Sequence, residues 1–204
     1  MRKNIIIAGV VFLNVILLAA LIFLGLEWRR TTQLRTGPGV APSTPGNASA
    51  TDAQEFVYHA PGRFVGDNAP PIVDRALTIT ATFDTQDQNG VIVAQGGLAQ
   101  GYALYVQDGE LLFALRRLNV LTTVPGGKIS AGQHTVTAVL TKTGEISIGL
   151  DGKTTATGRA AGVITLQPVD GLDIGADRGA PVGPYQIPNQ FGGAIEVVSL
   201  KTMP

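Results

Sequence analysis

The sequence has no cysteine, which excludes disulfides, thiolate metal sites, a cysteine nucleophile and a cysteine-borne lipid anchor together. Histidine is almost as scarce. His59 and His134 stand alone in sequence, whereas a zinc site needs three or four ligands and a nucleophile relay needs a Ser or Thr neighbour. The single tryptophan, Trp28, lies near the N-terminus, so the bulk of the chain has no indole face on which a sugar could stack. No long basic run occurs, and from Thr51 onward Asp and Glu outnumber Lys and Arg, which argues against nucleic acid as a partner.

Catalytic strings are missing too. A glycoside hydrolase needs two carboxylates flanking the scissile bond, commonly on one strand face as E-x-D-x-x-E, and no such string occurs. Glu145 and Asp151 are separated by a strand, while Glu110 and Glu196 stand alone among apolar residues. Gly152-Lys153-Thr154 ends like a phosphate-binding loop but has Ser147 where that loop needs its first glycine, so it reads as a turn. Gly96-Gly97 also reads as a turn or bulge. The chain is expected not to be an enzyme.

What the sequence does hold is one long apolar run. Ile5 to Leu26 is interrupted only by Gly9 and Asn14; at about 1.5 Å per helical residue it spans roughly the 30 Å of a bilayer core. Arg2 and Lys3 precede it, and Trp28, Arg29 and Arg30 follow, the residue types that the headgroup layer prefers. The run exceeds a usual signal-peptide core and no A-x-A-like site follows it directly, so residues 1–30 are expected to form a single-pass anchor. Residues 31–53, with TGPGVAPSTPGNASA at their centre, are too poor in large apolar residues to fold and read as a flexible stalk. Positive charge is nearly balanced across the run. The stalk favours a location in the cytoplasmic membrane with residues 54–204 outside.

In that last part the apolar period is 2. Leu77, Ile79, Ala81 and Phe83 alternate with Thr78, Thr80 and Thr82. Tyr102, Leu104 and Val106 repeat the pattern, Asp108-Gly109 supplies a tight turn, and Glu110 to Leu115 returns. A second hairpin runs through Ile146, Ile148 and Leu150 into Asp151-Gly152 and out to Gly158, with His134 to Thr141 beside it. Further strands are predicted at Phe56 to Tyr58, Val91 to Ala94, Leu172 to Ile174 and Ala194 to Lys201, and no segment here carries a helical stripe. The fold class is all-β, an antiparallel sandwich of jelly-roll type preceded by one N-terminal transmembrane helix.

Several stretches carry a family resemblance: VIVAQGG (91–97), GYALYVQDGELLF (101–113), AGQHTV (131–136), LDGK (150–153) and LDIGADRGAPVGPYQIPNQFGGAIEVVSL (172–200). Over roughly Ala76 to Leu200 the chain resembles the C-terminal β-sandwich region of bacterial arylsulfatases, and with it the laminin-G and concanavalin A-like sandwiches. The resemblance implies an accessory role beside a catalytic domain that this chain lacks. The family's reactive C/S-x-P-x-R context is matched only in S-x-P spacing by Ser43-Thr44-Pro45-Gly46-Asn47, with Asn in place of Arg.

Candidate functional residues cluster in Asp173 to Tyr185, a Gly- and Pro-rich stretch with two carboxylates, Arg178 and Tyr185. Asp173 and Asp177 are candidate oxygen ligands for calcium, although a hard cation wants six or more oxygens; no other cofactor is expected. Tyr102 and Tyr105 point to opposite sides of one strand, and Tyr102 shares the apolar face with Leu104. Tyr105 and Tyr185 are therefore the aromatic candidates for exposure. The expected ligand-binding set is Tyr105, Asp177, Arg178 and Tyr185. The function expected is a membrane-anchored, non-catalytic module that binds glycan or protein. The alternatives are an accessory subunit for a separately encoded sulfatase-like enzyme, or a self-assembling envelope component.

Overall fold

A computed structural model describes residues 52–86 and 89–204, all within one compact unit of the chain. The apolar run 5–26, Trp28 and most of the stalk lie outside the described residues. Among those described, no helix is long and apolar enough to cross a membrane.

Twelve strands form in chain order: β1 (Gln54–Tyr58), β2 (Gly62–Phe64), β3 (Ala76–Thr85), β4 (Gly90–Gly96), β5 (Gly101–Gln107), β6 (Glu110–Arg117), β7 (Val120–Lys128), β8 (Gly132–Leu140), β9 (Glu145–Leu150), β10 (Lys153–Arg159), β11 (Leu172–Ile174) and β12 (Ala194–Met203). They make two six-stranded sheets, β1-β12-β3-β8-β9-β10 and β2-β11-β4-β5-β6-β7, in which every strand pairs antiparallel with its neighbours. The all-β sandwich expected from the period-2 pattern is what forms.

The core lies between the sheets. Leu77, Ile79, Ala81 and Phe83 of β3, with Val136, Ala138 and Leu140 of β8, face Ile92, Tyr102, Leu104, Leu111, Phe113 and Leu115 of the second sheet. On the other face of β3 the threonines pair across strands, Thr80 with Thr137 at 3.4 Å and Thr82 with Thr135 at 3.2 Å. One side of the first sheet is dry and the other wet, as alternation requires.

Both Asp-Gly hairpins are present, with Asp108 and Gly109 at φ 52° and 69° and Asp151 and Gly152 at φ 50° and 79°. A third turn of the same kind joins β6 to β7 through Leu118 and Asn119, at φ 50° and 66°. Leucine in the left-handed region costs about 1–2 kcal/mol, most of which Asn avoids. Leu118 is more than half exposed, so Leu118→Asn forfeits little packing. It is expected to stabilise the protein by about 1 kcal/mol, seen as a higher urea midpoint at unchanged slope.

Two strands were not expected. β7 (VLTTVPGGK) carries Pro125 and two glycines, which read as loop; it forms because it is an edge strand, where a missing N–H breaks no ladder. β2 is only three residues long, at the opposite edge of the same sheet.

Candidate ligand-binding site

The second sheet is buried on both faces. Its outer face presents Val91, Ala94, Ala103, Tyr105 and Ala114, which form a second apolar cluster with Val182 and the partly buried Leu112, Leu121 and Tyr185. The segment following β11 covers these residues and is strapped down by backbone bonds. Gly175 N–H donates to Ile92 O at 2.9 Å, Asp177 N–H to Pro188 O at 2.8 Å and Val91 N–H to Asn189 O at 2.8 Å. Arg116 Nε adds a bond to Val182 O at 2.7 Å.

This corrects one expectation. Tyr105 does point away from Tyr102, but it is fully buried, its ring packed edge-on against Tyr185 with centroids 4.9 Å apart. The reason is the cover: the outer side of a sheet is wet only where nothing lies over it. Burial pushes the Tyr105 phenol up to about 12. Tyr185 is half-buried, and its hydroxyl donates to Asp177 Oδ2 at 2.7 Å. Neither ring is offered as an open stacking platform.

Asp177 is buried and its carboxylate also accepts from Val182 N–H at 3.3 Å. Its pKa is raised above the ordinary 3.8, chiefly by desolvation, although the bonds from Tyr185 and Val182 pull it partly back. A folded-state pKa above the unfolded one means that this group's stabilising contribution is full at low pH and is lost as pH rises through the folded value. Asp177→Asn keeps an acceptor for Tyr185 and removes the charge. Its melting temperature relative to the unsubstituted protein should therefore rise as pH increases from the ordinary carboxylate value through the raised folded one, a trend thermal melts would check.

The four ligand-binding candidates and Asp173 are thus brought together, with a partner that the sequence had concealed. Register places Arg63 of β2 beside Asp173 of β11, followed by Ala94 and Ala103 on β4 and β5. Asp173 is buried. Its Oδ1 accepts from Arg178 Nη1 at 3.0 Å, its Oδ2 accepts from Arg178 N–H at 2.9 Å, and Arg63 Nη1 stands 3.7 Å from Oδ2. Arg178 Nη1 also reaches Gly62 O at 3.4 Å. The Arg63 and Arg178 side chains remain 40% and 36% exposed.

A carboxylate held by two guanidiniums is a poor ligand for a cation, so the arrangement lends no support to calcium at Asp173 and Asp177. Among the described residues, no group of three or more His, Asp or Glu is placed to hold a metal ion. The chemistry on offer has the opposite sign. Two guanidiniums converge on Asp173 and remain partly exposed, with the buried Asp177 carboxylate near enough to Asp173 to interact with it.

The expectation that His134 lacks a hydroxyl neighbour is also corrected. Its Nδ1 lies 2.8 Å from Asp151 Oδ2, and its Nε2 is 3.4 Å from Ser130 Oγ. The resemblance to a Ser-His-Asp relay ends there. Nε2 lies nearer the Ser130 carbonyl oxygen, at 3.0 Å, than the hydroxyl, so the ring is held against the turn backbone rather than aimed at Ser130 Oγ. The cluster ties the β9–β10 hairpin to β8, because Thr135 N–H also donates to Asp151 Oδ1 at 2.9 Å. That bond, followed by the one from His134, lowers the Asp151 pKa. Glu145 is ion-paired with Arg159 at 3.4 Å, and His59 Nδ1 meets Glu196 O at 3.1 Å.

No protein-family model matches the chain, and no curated protein matches it. Solved structures do. Domains LG4-5 of the mouse laminin α1 chain superpose with a TM-score of 0.53 at 21% identity, covering 72% of this chain and 41% of that one. The fold is that of a laminin-G-like sandwich. The CBM40 of the Ruminococcus gnavus IT-sialidase, bound to α2,3 sialyllactose, matches with a TM-score of 0.52 at 15% identity, over 74% of this chain and 91% of that one. The present sandwich spans less than half of the laminin chain and nearly all of the CBM40 chain. The arylsulfatase resemblance gains no support from these comparisons.

Proposed function

We propose that this protein is a non-catalytic binding module that takes an acidic glycan at Arg63 and Arg178. On this reading the apolar segment 5–26 holds it at the cytoplasmic membrane, with the sandwich displayed outside. The observation that carries the proposal is the pair of partly exposed guanidiniums converging on the single buried carboxylate of Asp173.

Arginine forks match two oxygens of a carboxylate or sulfate, and the Arg178 fork, already held by Asp173, loses little further freedom on binding. The exposed parts of the two guanidiniums offer charged donors to an anion, which a neutral sugar cannot match. The CBM40 neighbour, bound to sialyllactose, sets a precedent for an acidic sugar on a sandwich of this shape. A non-catalytic role accords with His134 being bonded to Asp151 and the Ser130 backbone, and with Glu145 being paired with Arg159.

The test is an array of acidic and neutral glycans probed with the full chain in detergent. Retention of carboxylated or sulfated members alone is expected, and a blank array would count against the proposal. Stoichiometric recovery of a hydrolase from native membranes would instead make the protein an accessory subunit.

A further inference from the structure

We infer that the end of the sandwich at which the chain enters docks on a lipid bilayer through apolar loop tips, an inference that rests on segment 5–26 being a membrane anchor. Among the described residues, eight large apolar side chains are exposed, and five of them, Val65, Leu98, Leu118, Leu166 and Val169, gather at this one end. Leu98, Leu166 and Val169 line a shared cleft of about 200 Å³. The turn holding Leu118 is bonded to the same loop, Asn119 N–H donating to Ala99 O at 2.8 Å. Val65 adjoins Gly171, whose carbonyl accepts from Gly96 N–H at 3.1 Å.

The chain enters the described structure here too. Arg75 Nη1, just before β3, donates to Asp52 O at 3.0 Å, and the neighbouring Asp74 N–H donates to Ile164 O at 2.8 Å, two residues before Leu166. In the sequence, Glu27 to Thr51 separate the apolar run from this point, and a chain of that length spans at most about 80–90 Å when fully extended. On the anchor reading, this end is where the sandwich is joined to the membrane by the shortest length of chain. Among the described residues, the far end carries the polar hairpin tips Asp108-Gly109 and Asp151-Gly152.

Beside the apolar tips stand two cations, Arg117, bonded to Val163 O at 2.9 Å, and Lys142, bonded to Asp74 O. Apolar tips among mixed charges, with Asp67 and Asp74 exposed near the same end, can enter the boundary between headgroups and acyl chains through their apolar surface. Asp170 lines the same cleft, so the attraction is chiefly apolar.

The absence of cysteine makes the test direct. A fluorophore is attached at Val169→Cys, or at Lys153→Cys in the far hairpin, in the full chain reconstituted into vesicles of phosphatidylethanolamine and phosphatidylglycerol. Lipids nitroxide-labelled on the acyl chain are expected to quench the label at 169 at least about twofold more than the label at 153, with iodide showing the reverse order. Changing Leu98, Leu166 and Val169 to Asp together should abolish quenching of a label at Leu118→Cys while the protein still floats with the vesicles. Flotation with an iodide-accessible label at 169, or with a label shielded from iodide yet unquenched by lipid, overturns the docking and leaves the anchor intact. Failure to float overturns both.

Discussion

Arg63→Ala is expected to weaken binding of an acidic glycan by about 10- to 100-fold at little cost to the fold, because a hydrogen bond to a charged group is worth about 1.5–3 kcal/mol. The stability half of this expectation follows from geometry. Arg63 is 3.7 Å from Asp173 and 40% exposed, and without it the carboxylate keeps its shorter bonds from the Arg178 side chain and backbone, so the loss is expected to be small. Arg178→Ala should weaken binding similarly, but at a cost in stability, because it strips the buried Asp173 of its nearer guanidinium. Arg178→Lys keeps the charge and loses the fork, and should recover stability more fully than affinity. Melting curves beside titrations separate the two effects. Binding should also fall with added salt, the mark of a charge-led contact at a half-open site.

Tyr105→Ala carries the largest expected effect on the fold, a loss of about 3–5 kcal/mol, the range for removing a fully buried aromatic ring. Were Tyr105 exposed, as its position opposite Tyr102 suggests in the sequence, the same change would cost less than about 0.5 kcal/mol. The structure predicts the larger value because Val182 and Tyr185 close over the ring. The covering segment should loosen with it. Backbone amides that strap it down, Asp177 and Val91 among them, should lose hydrogen-exchange protection before the inter-sheet core does. A loss below about 1 kcal/mol in denaturant unfolding would show that the outer cluster is not a packed core.

These two predictions mark where the sequence was and was not legible. The hairpins at Asp108-Gly109 and Asp151-Gly152 could be read directly, since an Asp-Gly pair between alternating runs is a local signal with a local cause. The turn at Leu118-Asn119 has the same backbone but not the same residues, and so was silent. β7 was hidden by Pro125, which only an edge position excuses. For Tyr105 the alternation gave the correct side of the strand, but not what lies over that side, which is decided by a segment some eighty residues later. The site was half legible. Asp173, Asp177, Arg178 and Tyr185 sit in one stretch of composition that announces a loop with work to do. Arg63 lies more than a hundred residues earlier in a three-residue strand, and only the pairing of β2 with β11 shows that it shares a carboxylate with Arg178. Its one sequence signal was a lone cation between Gly62 and Phe64.

The most direct test of the central claim is a calorimetric titration of the full chain in detergent with sialyllactose and with its carboxyl-reduced analogue, repeated on Arg63→Ala. The account predicts heat of binding for the acid alone, weakened at least about tenfold by the substitution. Equal binding of acid and reduced sugar, or acid binding untouched by Arg63→Ala, would contradict it.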